Sequence, residues 1–422
     1  MSYNTTRDLE QLRMLDPSID DFINRFNNSN GPVNGNPRQT VFLFPGGMAS
    51  RLKRAKSPYV NGMPATQAFA YDTVWLDVWT FLGTVLDLQQ VVIAGERRDK
   101  DSRIIVADGA VSFLGCSPYD GFVALCAEVG IDCYVFGWDW RLAFDRIGAF
   151  FVKKFLPYFG QRVMNGCNGA DALANFSLVG HSAGGMVVNW ILRKHNVAEL
   201  RWAVTVATPF YGYGGQTHRW FEGEPLFNAL GTDNIIKVIT SMPGNYPYQF
   251  LPTGVFMANQ QALAADPNYP LAAYPSLDKT TGALADAYSP TTNGALHRYP
   301  DQSASGFDMQ EVKRAKKLVT FLASGLDPQI AKKFVNVRGD TKNNDTLGSI
   351  TWDWVPPTNP TPIGDASSVA GDGTQPGWTV RHVGLEAALP GNVVTVQGAD
   401  VTHMLTMNSP TTNAALAKVL LT

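Results

Sequence analysis

The sequence predicts an α/β protein, a mostly parallel sheet with helices on both faces and an inserted second substructure. Three observations predict it. Short apolar runs of strand length recur at Val41–Phe44, Val91–Ala94, Cys133–Phe136, Phe176–Val179, Ala203–Ala207, Phe334–Val337 and Val393–Val396, with helix-length stretches between several of them. One run passes through Gly180-His181-Ser182-Ala183-Gly184 directly into a stretch with helical spacing. Between Thr208-Pro209 and about Asp327 the texture changes, becoming rich in Gly, Pro, Tyr and Ala with few strand-like runs.

The chain has 422 residues, more than the roughly 300 at which one hydrophobic core usually stops growing. Residues 1–37 read as a polar arm with a helix around Ser18–Phe26, closed by the turn formers Asn30 to Pro37. Residues 38–208 and 325–422 form the sheet core, and 209–324 form a cap or lid insertion. Hydrophobic residues make up 45% and charged residues 17%, against about 25% charged in typical globular proteins, which excludes disorder. Lys plus Arg total 34 and Asp plus Glu 36, a balance that lacks the basic footprint of a nucleic-acid binder. Four cysteines without a C-x-x-C pair predict reduced thiols rather than a disulfide framework or a zinc site. With no apolar leader and no membrane-length apolar run, the expectation is a cytoplasmic protein without a transmembrane segment.

The first strand, Val41 to Phe44, ends at Pro45-Gly46-Gly47, a backbone turn at the strand's carboxyl end. At the other motif, Leu178-Val179 runs into Gly-x-Ser-x-Gly and then into a helix whose Met186 and Trp190, and Val187 and Ile191, pair at i, i+4. Arg193, Lys194 and His195 suit the helix's negative C-terminal end. This is the pattern of a nucleophile elbow, in which glycines two residues either side of the serine let a strand turn sharply into a helix. It makes Ser182 the candidate nucleophile of an α/β-hydrolase fold.

A serine hydroxyl needs a base, and the base an acid; in this fold they follow in the order Ser, Asp or Glu, His. His403, in the loop beyond Val393–Val396, is the candidate base; His382, in the alternating segment Trp378-Thr379-Val380-Arg381-His382-Val383 that reads as an exposed strand position, is the alternative. Asp372, between Gly371 and Gly373, is the candidate acid, ahead of Asp400 and Asp365. The oxyanion donors expected for acyl transfer are the amides of Gly47 and Ala183. Met48 and His181, beside those groups, and Phe210, Tyr211 and Tyr246 of the aromatic-rich insertion are candidate substrate-binding residues. There is no Walker loop, H-E-x-x-H or calcium loop, so neither metal nor cofactor is expected.

Several segments together resemble the lecithin:cholesterol acyltransferase family, with its phospholipid:diacylglycerol acyltransferases and lysosomal phospholipases. They are Phe44-Pro45-Gly46-Gly47, Val74-Trp75-Leu76-Asp77, Gly137-Trp138-Asp139-Trp140-Arg141-Leu142, the elbow, Ser241-Met242-Pro243-Gly244-Asn245-Tyr246 with Leu251-Pro252, and Gly371-Asp372-Gly373-Thr374 with His403. The resemblance implies the same triad and oxyanion residues, a cap over an acyl pocket, and an ester or lipid ester as substrate. The expected function is a serine ester hydrolase of carboxylesterase, lipase or phospholipase type. An acyltransferase is the alternative, and a non-catalytic binding protein on the same fold the remote one.

Overall fold

A computed structural model of the chain describes residues 39–55, 71–75, 88–93, 96–99, 105–112, 116–164, 176–195, 200–215, 219, 232–266, 269, 274–278, 283–289, 308–343, 346–347, 349–353, 361–365 and 368–422. The arm expected at 1–37 and its helix lie outside these residues.

Six strands form one all-parallel sheet: β1 (Gln39–Phe44), β2 (Ile131–Val135), β3 (Phe176–His181), β4 (Leu200–Val206), β5 (Phe334–Asp340) and β6 (Val393–Gln397). Their order is β6-β5-β4-β3-β1-β2, so the α/β expectation holds. The interior strands are near-continuous apolar runs because helices cover both faces. One apolar run behaves differently. The segment at 91–94 supplies strand Gln90–Ile93, which pairs antiparallel with Glu96–Asp99 in a separate hairpin. Its backbone groups find partners in the residues that follow, so it adds nothing to the parallel sheet.

Helices α1 (Asp120–Glu128), α2 (Phe144–Phe150), α3 (Ala183–Lys194), α4 (Met309–Ala323) and α5 (Pro410–Leu421) flank the sheet. α3 packs on β1, β3 and β4 and against α2, while α1 packs on β2 and α5 on β5 and β6. α4 closes the stretch read as an insertion, yet it lies along α3. Asn189 donates to the Leu322 carbonyl at 3.4 Å, and Arg193 to those of Ser324 and Gly325 at 2.9 and 3.1 Å. Cys116, Cys126 and Cys133 carry free thiols; Cys167 lies outside the described residues.

Reversal of strand order at β1 matters most for function. β1 lies between β2 and β3, with Phe44 opposite Gly180. The loops leaving β1 and β3 therefore emerge side by side at a topological switch point, where open α/β sheets place their ligands.

An aromatic cluster holds this part of the sheet. Phe42, fully buried, meets the rings of Tyr134, Phe151, Phe155, Phe159 and Phe176 edge-on at centroid distances of 5.2–6.2 Å. Edge-to-face contacts add to the area buried by each ring. Phe42→Ala is expected to lower the unfolding free energy by about 3–5 kcal/mol, read as a drop in urea midpoint at constant slope. A loss below about 1 kcal/mol would show that the cluster does not secure β1.

Candidate active site

β3 ends at His181 and α3 begins at Ala183, so Ser182 alone makes the turn, at φ 52° and ψ −120°. A non-glycine residue in such a conformation costs about 1–3 kcal/mol and persists only where its surroundings enforce it. Here the flanks do so. A Cβ on Gly180 would stand 2.6 Å from both the Gly184 carbonyl carbon and the Gly185 Cα, and one on Gly184 would overlap the carbonyls of Phe44 and Pro45. The Ser182 amide donates to the Val206 carbonyl at 2.9 Å, and the Ser182 carbonyl accepts from Gly185 at 3.0 Å. The motif gave no reason to single out Gly185, but a Cβ there would overlap the Thr208 side chain.

Ser182 Oγ lies 3.0 Å from His403 Nε2, and His403 Nδ1 lies 2.7 Å from Asp372 Oδ2. An ionised carboxylate only accepts, so Nδ1 carries the hydrogen and Nε2 is free to take the serine proton. Asp372 is fully buried. Its second oxygen accepts from the amides of Thr374 and Gln375 at 3.0 and 2.6 Å, in a turn that Gly373 permits with φ 82°. The Asp372 carbonyl accepts from the His403 amide at 2.8 Å, tying the two residues through backbone as well as side chain.

The loop after β1 is held by hydrogen bonds to its peptide groups. Indole Nε1 groups of Trp138, Trp75 and Trp140 donate to the carbonyls of Pro45, Met48 and Ser50 at 3.0, 2.6 and 3.2 Å. Ala49 donates to the Gly46 carbonyl at 3.1 Å. A Cβ on Gly46 would stand 3.3 Å from Ser182 Cβ, and one on Gly47 3.6 Å from Ala183 Cβ, so the loop lies directly against the nucleophile. The amides of Gly47 and Ala183 have no hydrogen-bond partner among the described residues. Two unpaired donors beside a serine are what a developing oxyanion requires.

Tyr119, which the sequence did not mark, joins this loop to the base. Gly46 N donates to the Tyr119 hydroxyl at 2.7 Å; that hydroxyl lies 3.1 Å from His181 Nδ1, and His181 Nε2 lies 3.0 Å from the His403 carbonyl. Only one direction satisfies all three contacts: tyrosine donates to Nδ1, and Nε2–H donates to the carbonyl. Burial, then the nearby His403, pushes the His181 pKa well below the ordinary histidine value, so its ring is neutral.

The other candidates have partners of their own. Met48 takes a left-handed conformation, φ 64°, with its carbonyl tied to Trp75. Phe210, Tyr211 and Tyr246 are all buried. Phe210 packs on Phe334 and His382, Tyr211 meets the Phe256 ring, and the Tyr246 hydroxyl donates to the Thr240 carbonyl and accepts from Asp308 N. None of their described contacts involves the triad. His382 is not an exposed strand residue: it caps the helix Val383–Ala388, and its ring is buried with Nδ1 accepting from Leu385 N at 3.0 Å. Asp400 accepts from the Ser409 hydroxyl at 2.6 Å, and Asp365 ends a strand of a small separate sheet. Among the described residues no cluster of His, Cys, Asp and Glu could hold a metal ion, and no described helix is long and apolar enough to cross a membrane.

Among solved structures, the chain matches Tle4 in the Tle4–Tli4 complex with a TM-score of 0.55, over 91% of this chain and 99% of that one, at 12% identity. The chain has the α/β-hydrolase fold. Homoserine O-acetyltransferase from Bacillus anthracis aligns over 92% of this chain and 90% of that one at 10% identity, but a TM-score of 0.31 carries no argument. No family model and no curated protein matches the sequence. Likeness at this distance speaks for the fold and leaves the chemistry to the site.

Two buried histidines make stability depend on pH. Burial, then Arg193, lowers the His382 pKa to about 3, and His181 is also held low. Both stay neutral in the folded chain, whereas in the unfolded chain they gain a proton below about pH 6.5. Stability is therefore full above that pH and lost as pH falls, at about 1.4 kcal/mol per pH unit for each histidine. Melting temperatures from pH 8 to pH 4 should decline below 6.5, less steeply in His382→Gln. An equal slope in that variant would contradict a neutral buried His382.

Proposed function

We propose that this chain is a serine ester hydrolase of the carboxylesterase, lipase or phospholipase type, working through an acyl-enzyme. The observation that carries the reading is the bridge made by His403, 3.0 Å from Ser182 Oγ on one side and 2.7 Å from Asp372 on the other. Ser182 Oγ attacks the acyl carbonyl while His403 Nε2 takes its proton, and Asp372 stabilises the imidazolium that results. The carbonyl electron pair moves onto oxygen, which the amides of Gly47 and Ala183 receive. Collapse expels the alcohol, protonated by His403, and water then repeats the sequence on the acyl-enzyme.

The segments shared with the lecithin:cholesterol acyltransferase family favour a lipid-like acyl ester with residues 209–324 as its cap. Tle4 of the Tle4–Tli4 complex shares the fold. A second reading, transfer of the acyl group to an alcohol or lipid, draws on the seclusion of the centre. Ser182 and His403 are only 7% and 6% exposed, and a dry site favours an alcohol over water as acceptor.

Hydrolysis of p-nitrophenyl esters from short to long acyl chains tests the proposal, with added alcohol to reveal transfer products. Ser182→Ala should keep its melting temperature while kcat falls by at least about 10⁴-fold. Turnover near wild type in that variant would end the serine-nucleophile reading.

A further inference from the structure

We propose that the Tyr248 hydroxyl is a third donor to the tetrahedral oxyanion, completing a hole whose other two donors are backbone amides. The inference rests on the hydrolase reading above. A Cβ built on Gly47 would overlap the Tyr248 hydroxyl oxygen, stand 3.2 Å from its Cζ, and lie 3.6 Å from the Ala183 methyl. The phenol tip thus occupies the space that a side chain at 47 would take, and the Ala183 methyl borders the same space. It also explains the glycine, since any side chain at 47 would displace the hydroxyl.

Tyr119 and the Arg219 guanidinium are the titratable groups that act on this hydroxyl. Three other buried tyrosines spend theirs on a backbone carbonyl: Tyr246 on Thr240, Tyr274 on Leu251 and Tyr288 on Tyr246, at 2.6, 2.8 and 2.7 Å. That of Tyr248 has no hydrogen-bond partner among the described residues. Its position is nonetheless fixed. The ring meets Phe144 edge-on at 5.6 Å, and the Tyr248 carbonyl accepts from Tyr213 N at 2.6 Å. The turn Pro243–Tyr248 is docked on the tryptophan loop, where Gly244 N donates to the Arg141 carbonyl at 2.9 Å and a Cβ on Gly244 would overlap the Trp140 carbonyl. Burial raises the phenol above its ordinary value, so it keeps its proton and remains a donor at neutral pH. In the reaction no bond to tyrosine forms or breaks. The electron pair released when Oγ adds to the carbonyl settles on oxygen and accepts a hydrogen bond from the phenol, which is withdrawn when the pair returns and the alkoxide leaves with the His403 proton.

Tyr248→Phe removes one oxygen atom and keeps the ring. Wild type and variant would be compared for ester turnover, melting temperature and inhibition by a trifluoromethyl ketone, which forms a tetrahedral adduct on the serine. The variant should lose about 100- to 1000-fold in kcat, with KM within about twofold, and bind the ketone more weakly by the same factor. Tyr248→His, which returns a ring donor, should recover part of kcat, an effect that mere space-filling would not produce. Unchanged kcat, or a loss confined to KM with ketone affinity intact, would overturn the proposal while wild-type turnover leaves the hydrolase reading standing. A folded wild type that hydrolyses none of the esters would sink both. If Tyr248→Phe does not fold, Tyr248→His and Tyr248→Leu are compared instead: higher kcat and tighter ketone binding in the histidine variant support a donor at this position, and equal values in the two overturn it.

Discussion

The first turn of α3 packs against the end of β1 so closely that Gly184 has no room for a side chain under the carbonyls of Phe44 and Pro45. This approach sets the rest of the site. It forces Ser182 through a left-handed turn, φ 52°, and brings the Gly46–Gly47 backbone against the serine. It also leaves the Ala183 amide at the open end of a helix, where no intrahelical partner exists for it. Were the helix to stand off by the width of a methyl group, the nucleophile and the loop beside it would separate. The strain at Ser182 is sustained because pairing of Phe44 with Gly180 and the contact of Gly185 with Thr208 hold the elbow from both sides.

Around that contact, the tryptophan-rich tract of the sequence serves as bracing. The tract Trp138-Asp139-Trp140-Arg141 places no group at the serine. Its two indoles hold the loop carbonyls of Pro45 and Ser50. Asp139 grips the Arg141 guanidinium through both oxygens, and Arg141 is 1% exposed. Such a buried pair adds little net stability, but losing one partner strands the other's charge, so it behaves as a rigid unit. That unit carries the turn at Gly244. The Tyr119–His181 relay does the same for the base, linking the loop after β1 to the backbone of His403. Rigid support of this kind is what lets donors meet a charge that exists only in the transition state.

The parts of the site legible in the sequence were those encoded locally. Gly-x-Ser-x-Gly, the Gly46-Gly47 turn and the Gly-Asp-Gly turn each carry their geometry within a few residues, and the order of serine, acid and base follows from the fold. Residues whose role depends on distant partners left no such trace. Tyr119 sits 73 residues from Gly46, and nothing in its neighbourhood predicts that its hydroxyl would be used there. The aromatic residues of 209–324 are ambiguous in another way. Pocket lining and core packing demand the same residue types, and Phe210, Tyr211 and Tyr246 are buried with partners of their own. His382 looked exposed by alternation, but its segment caps a helix, where period-two reasoning does not apply. The strand at Gln90–Ile93 has the right composition for the sheet, yet pairs with its own sequence neighbour.

The account stands on one spatial claim, that Ser182 and the Gly47 and Ala183 amides face a common point where the reacting carbonyl oxygen sits. A crystal structure of the protein inactivated by an alkyl fluorophosphonate tests it most directly, because the phosphonyl oxygen takes the place of the oxyanion. The expected structure has phosphorus bonded to Ser182 Oγ, with that oxygen within hydrogen-bond distance of both amides and His403 beside the adduct. Phosphorus on another residue, or an oxygen turned away from Gly47 and Ala183, would contradict it.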